Sequence, residues 1–215
     1  MVYQVIAGFF GLITLLLLLL SARFLVSKVW IAGFLRGCAG FLLLALAILL
    51  GLSAHDIATY KSVSNEQSIM TLSVRLKEGN RYQIDLQAAN GDYFNAEVEG
   101  QQWQLNVRMI KWAPLFTAIG FRAGYRLDNI QGRYLELQLG GKPQKSGMPL
   151  SGENAVDVWQ FMKDYPGVLG SAEAYTSTPG FIPLSDGAIY EVVLSGTNLT
   201  ARPMNDAAKS AMASW

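Results

Sequence analysis

The chain has 215 residues, 51% of them hydrophobic, with 17 Lys+Arg against 16 Asp+Glu for a net charge of +1. Arg23, Lys28 and Arg36 are the only charged residues before His55, so residues 1–54 hold three of the bases and none of the acids. That leaves 14 bases against 16 acids, net −2, for the remainder. A slightly acidic remainder argues against nucleic-acid binding, and a single cysteine, Cys38, excludes an intrachain disulfide or a multi-cysteine metal site.

From Met1 to Ala22 and again from Gly37 to Ala54 no residue is charged. Eighteen helical residues cover about 27 Å, close to the ~30 Å hydrocarbon layer, and the second segment gains length by starting near Trp30. The expectation is a transmembrane helical hairpin over residues 1–54, with helices at about 3–22 and 30–54. A cleaved signal peptide ending at Leu20-Ser21-Ala22 is the rival, but the basic n-region such peptides begin with is missing. Arg23, Lys28 and Arg36 are the topology determinants: short basic connectors stay in the cytoplasm, which places the C-terminal part on the periplasmic side. The apolar connector Phe24–Trp30 fits a short turn or an interfacial segment with Arg23 and Lys28 snorkelling. Around Cys38 the small residues Gly33, Gly37 and Gly40 read as helix packing, with acylation of Cys38 a weaker alternative.

Residues 55–68, with the polar run Ser62–Ser68, read as a tether, and from Ile69 the hydrophobic period becomes two. Leu72, Val74 and Leu76, then Tyr82, Ile84 and Leu86, then Phe94, Ala96 and Val98 alternate with polar residues. Glu78-Gly79-Asn80 and Asn90-Gly91-Asp92 separate them, which predicts an antiparallel meander. A fourth strand sets Trp103, Leu105, Val107 and Met109 on one face. Tyr125–Ile130 and Arg133–Leu139 read as a hairpin turning near Gln131-Gly132.

Over Ser151–Tyr165, Val156, Trp159 and Met162 recur at helical spacing, with Ser151 as N-cap and Pro166-Gly167 as the stop. The helix is expected to cover an open end of the sheet. Ala188–Leu194 and Asn198–Arg202 form a closing hairpin, and residues 205–215 read as a flexible tail. The predicted class is a membrane-anchored, mainly antiparallel β-barrel or β-sandwich with one amphipathic helix, its β-rich domain at 69–204 following the transmembrane hairpin.

The span Arg108–Arg126 stands out in this domain. It sets Arg108, Lys111, Arg122 and Arg126 around Trp112, Phe116, Phe121 and Tyr125, and encloses the apolar loop Ala113–Phe121. Three fates fit such a loop: it plugs the core, dips into the outer leaflet with its cations at phosphates, or docks on a partner protein. These eight residues are the candidate membrane or partner contact.

Signals for chemistry are weak. The only histidine, His55, has no second His for a zinc pair and reads as an interfacial or helix-end residue, although His55-Asp56 could bind a proton or metal with partners from elsewhere. Gly140-Gly141-Lys142 lacks the GxxxxGK[ST] pattern of a phosphate loop. Asp85, Glu97 and Glu99 offer carboxylates for a glycosidase pair but sit at strand positions that face water. No cofactor is expected.

The segments Gly100–Trp112, Tyr125-Arg126-Leu127-Asp128, Gly132-Arg133-Tyr134, Asp186–Val192 and Ala201-Arg202-Pro203 together resemble an uncharacterised family of proteobacterial two-helix inner-membrane proteins. Some of its members carry the label "cation/multidrug efflux pump". The resemblance spans the two-helix N-terminus and the β-rich part and brings no catalytic residue with it. The expected function is that of a non-enzymatic inner-membrane envelope protein presenting a periplasmic binding or scaffolding domain to a membrane or periplasmic partner. The alternatives are an accessory subunit of a transporter or efflux complex, and a membrane-bound carboxylate hydrolase acting on glycans or lipids. Two spans without an acidic residue offer no cation relay of their own.

Overall fold

The structure, a computed structural model, describes residues 2–25, 30–63, 66–134, 147–152, 154–167, 170 and 172–214. It divides into two compact units, each described by itself. The first comprises Met1–Ser62, Trp112–Arg122 and Glu153–Glu173, and the second Val63–Lys111, Ala123–Gly152 and Ala174–Trp215.

The first unit is built on two long helices, α1 (Val2–Leu25) and α2 (Trp30–Ala58). Their stretches Gln4–Arg23 and Ala32–Ala58 are long and apolar enough to cross a membrane, with mean hydropathy of 2.6 and 2.3. Proline-free, leucine-rich sequence favours the helix. The helices pack through small residues. Ser21 Oγ donates to the Gly40 carbonyl at 2.9 Å, Ala47 and Ala54 are buried, and Thr14 lies beside Gly51. Gly40, Ala47 and Ala54 recur every seven residues, the period of a left-handed two-helix seam. The packing glycine is therefore Gly40; Gly37 meets no neighbour and Cys38 is exposed. The outer faces stay apolar and open, as at Leu16, Phe34, Phe41 and Leu42.

Besides Trp112, the last residue of a strand of the second unit, four further elements belong wholly or partly to this unit. They are the two-residue strand β1 (Lys61–Ser62), the short helix α3 (Pro114–Ala118), α4 (Val158–Asp164) and the start of β8 (Ala172–Ser177). Residues 55–58, expected in the tether, continue α2. Ser151 does not cap α4: Asp157 does, its side chain accepting from Gln160 N at 2.9 Å. An Asp followed three residues later by Gln is a capping-box signal, and it starts the helix at Val158 instead of directly after Ser151.

The second unit is a pair of antiparallel sheets. One has the order β11-β10-β2-β3-β4, with β2 (Glu66–Glu78), β3 (Arg81–Ala88), β4 (Tyr93–Glu99), β10 (Ile189–Ser195) and β11 (Asn198–Pro203). The other is built on β6-β5-β8, with β5 (Gln102–Trp112), β6 (Gly124–Arg133), β7 (Gly147–Pro149) on β6 and β9 (Ile182–Pro183) on β5. The sheets do not close into a barrel, so of the two predicted architectures the sandwich stands. Its core draws on both: Leu72, Val74, Ile84, Leu86, Ala96, Val98, Tyr190 and Val192 from one, Trp103, Leu105, Val107, Met109 and Ile130 from the other. Burying such side chains is worth about 1.5–3 kcal/mol each.

The meander holds over β2, β3 and β4, but β5 leaves it and begins the second sheet. The chain turns the corner at Gly100, whose φ is +135°. A Cβ there would stand 2.3 Å from the Arg133 carbonyl oxygen, and one on Gly132 would stand 2.2 Å from that of Glu99. Gly132, the next-to-last residue of β6, is thus required by close backbone approach, and Gln131-Gly132 lie within β6 rather than in the expected hairpin turn. Most of the strand expected at Arg133–Leu139 lies outside the described residues, as do Gly140-Gly141-Lys142. Glu66–Ser68 belong to β2 rather than to a tether.

The C-terminal residues also differ from expectation. Asp206–Ala213 form α5, capped by Asn205, whose Oδ1 accepts from Ala208 N at 3.0 Å and Ile189 N at 3.1 Å and whose Nδ2 donates to the Gly187 carbonyl at 2.7 Å. Ala208 is fully buried in the sandwich core. One asparagine fastening three backbone groups converts an expected loose tail into part of the domain.

Candidate functional site

The eight residues of the candidate contact are divided between the units. Trp112, Phe116, Phe121 and Arg122 fall in the first, and Arg108, Lys111, Tyr125 and Arg126 in the second.

In the first unit Trp112, Phe116 and Phe121 form an aromatic triad with ring-centroid distances of 6.2, 5.2 and 5.6 Å. Pro114 starts α3, and Phe121 N donates to the Phe116 carbonyl at 3.0 Å, folding the loop back on itself. The three rings are half-buried and α3 itself buries no residue. Its outward side chains are Leu115 and Ile119, 73% and 69% exposed. Arg122 is exposed beside the triad.

In the second unit Arg108 is half-buried and its Nε donates to Asp128 Oδ1 at 2.7 Å. A β-bulge opposite Asn106/Val107 supplies that partner: the register passes from Asn106↔Asn129 to Val107↔Leu127, leaving Asp128 as the extra residue. Asp128 also accepts from Asn129 Nδ2 at 3.0 Å, and Asn106 Nδ2 donates to Asn129 Oδ1 at 2.8 Å. The ladder continues with Gln131 Nε2 donating to Gln104 Oε1 at 2.8 Å. Arg108 and Arg126 face one another across β5 and β6. Arg108 therefore belongs to a polar network on its own sheet. Tyr125 is buried, which raises its phenol pKa, and Lys111 is exposed.

The carboxylates weighed for hydrolysis are all paired. Asp85, expected to face water, is buried beneath Arg75 and accepts from Asn95 Nδ2 at 2.5 Å. Glu99 meets Arg81 Nε at 2.7 Å. Glu97 pairs with Lys77, whose hydrogen bond and charge hold its carboxyl below the usual range, the reverse of what a general acid needs. Among the described residues no group of three or more His, Cys, Asp or Glu is placed to hold a metal ion.

Two features escaped the sequence reading. Asp56, in the last turn of α2, is fully buried: Oδ1 accepts from Asn154 Nδ2 at 2.6 Å and Oδ2 from Val158 N at 3.0 Å. It thereby satisfies one of the orphan N–H groups at the start of α4, while Asp157 satisfies another. The available signal was an acid directly after an uncharged run, but its partners lie 98 and 102 residues away. His55 beside it is exposed and brings a basic side chain to the helix C-terminus. The second feature is the core pair Trp103 and Tyr190, with centroids 5.6 Å apart. Tyr190 Oη donates to the Pro183 carbonyl at 2.9 Å, and burial pushes its pKa up to about 12.

Arg23 and Arg36 are exposed on α1 and α2, and Lys28 lies outside the described residues. Comparison with protein-family models, with curated proteins and with solved structures finds no match.

Proposed function

We propose that this chain is a non-enzymatic protein of the bacterial inner membrane, anchored by a two-helix hairpin and presenting a β-sandwich on the periplasmic side as a binding or scaffolding domain. The observation that carries the reading is the hairpin's outer surface. Only 11% and 17% of the most apolar 18 residues of the two candidate spans is buried, and most of their leucine and phenylalanine side chains are exposed. Exposing that much contiguous apolar surface to water is unfavourable, and a bilayer removes the cost. Arg23, Lys28 and Arg36 surround the connector between the helices, which favours a cytoplasmic connector and a periplasmic sandwich.

The non-enzymatic reading is supported by the state of the acids, since the strand carboxylates that would serve hydrolysis are held as ion pairs. The loop of α3 supports a bilayer contact: it groups with the hairpin, and Leu115 and Ile119 point outward from an aromatic base beside Arg122. The test is a pair of topology reporters in the full chain. A reporter active only in the periplasm should work when fused after Trp215, and one active only in the cytoplasm should work at Lys28. The opposite pattern would overturn the orientation. Neutralising Arg23, Lys28 and Arg36 together should mix the two.

A further inference from the structure

We infer that α4 is an interfacial helix, docked by Asp56 at the membrane exit of α2 with Phe161 and Tyr165 seated in the headgroup layer of the bilayer. The inference rests on the membrane reading above and adds a second lipid-contacting element held by a named latch.

Depth comes from counting along α2. Arg36 and Asp56 are 20 residues apart, about 30 Å of helix, which matches the hydrocarbon thickness. With Arg36 at one boundary, Asp56 stands at the other. The two hydrogen bonds from Asn154 and Val158 hold the start of α4 within one contact of that level. The helix has seven residues, about 10 Å, so in any tilt most of it stays within reach of the headgroups.

The side chains of α4 sort into three faces that suit this position. Trp159 and Met162 are buried. Gln160 and Asp164, one turn apart and joined at 2.9 Å, make a polar face. Phe161 and Tyr165, also one turn apart, stack at 5.2 Å and are 46% and 58% exposed. At 100° per residue the aromatic face lies on the far side of the helix from Lys163, whose Nζ sits 4.8 Å from the Trp159 ring. A protein-facing stripe, a polar stripe and an aromatic stripe on one short helix are what a protein–lipid–water boundary selects. Tyrosine and phenylalanine rings favour the headgroup layer, where the tyrosine hydroxyl stays wet. A buried carboxylate at the helix start fixes orientation because it satisfies a backbone N–H that the bilayer edge would leave unpaired.

The test uses the full chain in nanodiscs of phosphatidylcholine and phosphatidylglycerol, with Cys38→Ser as background. Single nitroxide labels are placed at Leu46→Cys, Gln160→Cys, Phe161→Cys and Tyr165→Cys, and collision with oxygen is compared with collision with a water-soluble nickel chelate. Leu46 should read as lipid, positions 161 and 165 as shallow lipid, and position 160 as water. Adding Asp56→Ala should shift 161 and 165 toward water while leaving 46 unchanged. If 46 reads lipid but 161 and 165 read water, the docking of α4 is overturned and the anchor stands. If 161 and 165 are shielded from both reagents, they face a protein surface and the proposal is overturned in favour of a partner or second copy. If 46 itself reads water, the membrane reading fails and this inference with it.

Discussion

Asp56 and Val158, 102 residues apart, are joined by a 3.0 Å hydrogen bond from the Val158 backbone N–H to Asp56 Oδ2. The carboxylate is fully buried and its other oxygen is taken by Asn154. Asp56→Ala leaves two donors without their partner, at about 1–3 kcal/mol for each that stays buried. Asp56→Asn keeps an acceptor for Val158 and can donate to a flipped Asn154 amide, so it should cost much less. Limited trypsin digestion in detergent reads the difference: cleavage after Lys163 should quicken in the alanine variant and stay near the parent rate in the asparagine variant.

At the corner between the sheets, Gly132→Ala sets a methyl 2.2 Å from the Glu99 carbonyl oxygen, and Gly100→Ala adds positive φ to a 2.3 Å clash with Arg133. Backbone on both sides leaves nothing flexible to yield, so each should cost at least the ~1–3 kcal/mol of ordinary overpacking. Gly152→Ala, where the methyl meets open space, should stay within about 0.5 kcal/mol. Thermal unfolding of the three variants in detergent, followed by β-sheet circular dichroism, checks the order.

Those two glycines show why part of the fold was legible and part was not. A period of two over Leu72–Leu86 and Trp103–Met109 reports a half-buried strand directly, because one face must be apolar for the sandwich to have a core. The apolar helices were legible for a similar reason, since a span demands length and hydropathy along one continuous segment. Gly100 and Gly132 look alike in sequence, yet one turns a corner and the other sits inside a strand, and only the chain passing over them tells which. Asp56 and Asp128 are hidden on the same ground, since each acts on partners brought by the fold or by a bulge; Asn205 holds Ile189 and Gly187, 16 and 18 residues away, but its cap on Ala208 is local. For α4 the local signal existed in Asp157 and Gln160, but Ser151 offered an earlier cap. For α5 the local signal also existed, in Asn205 ahead of the helix-favouring alanines.

Tyr190 ties stability to alkaline pH. Its folded pKa of about 12 lies above the ordinary value of 10.0, so the stabilisation is complete below pH 10. It is lost as pH rises from 10 through about 12, where the unfolded chain ionises and the buried phenol does not. Each unit of difference is worth about 1.4 kcal/mol. Tyr190→Phe should lower stability at pH 8 by about 0.5–1.5 kcal/mol through loss of the bond to Pro183, yet flatten the decline between pH 10 and 12. Melting temperatures of both proteins across that range provide the check.

Arg108 and Asp128 should be coupled. Both side chains are largely covered, at 18% and 21% exposure, and the pair is part of a hydrogen-bonded ladder. A double-mutant cycle with Arg108→Met and Asp128→Asn should give a coupling of about 1–3 kcal/mol, the range for charge-assisted hydrogen bonds, and salt should weaken it little. A coupling near zero would return Arg108 to the pool of cations available for an anionic surface.

The loop of α3 separates a structural role from a surface role within a few residues. Phe116 and Phe121 are half-buried in the triad with Trp112, so replacing both with Ser loses part of the ~1.5–3 kcal/mol that full burial of each ring would supply, together with their mutual ring contacts. Leu115 and Ile119 are the outward pair, and replacing them with Ser should leave the melting temperature in detergent within a degree or two, as for exposed positions generally. In bilayers the order should reverse for lipid contact: a nitroxide at Leu115→Cys or Ile119→Cys should read as lipid-exposed, and one at Lys111→Cys as water-exposed. If the Leu115 and Ile119 labels read as water, the loop is free of the membrane and its apolar tip is left for a protein partner. That result would remove α3 from the lipid-facing surface without touching the latch between Asp56 and α4.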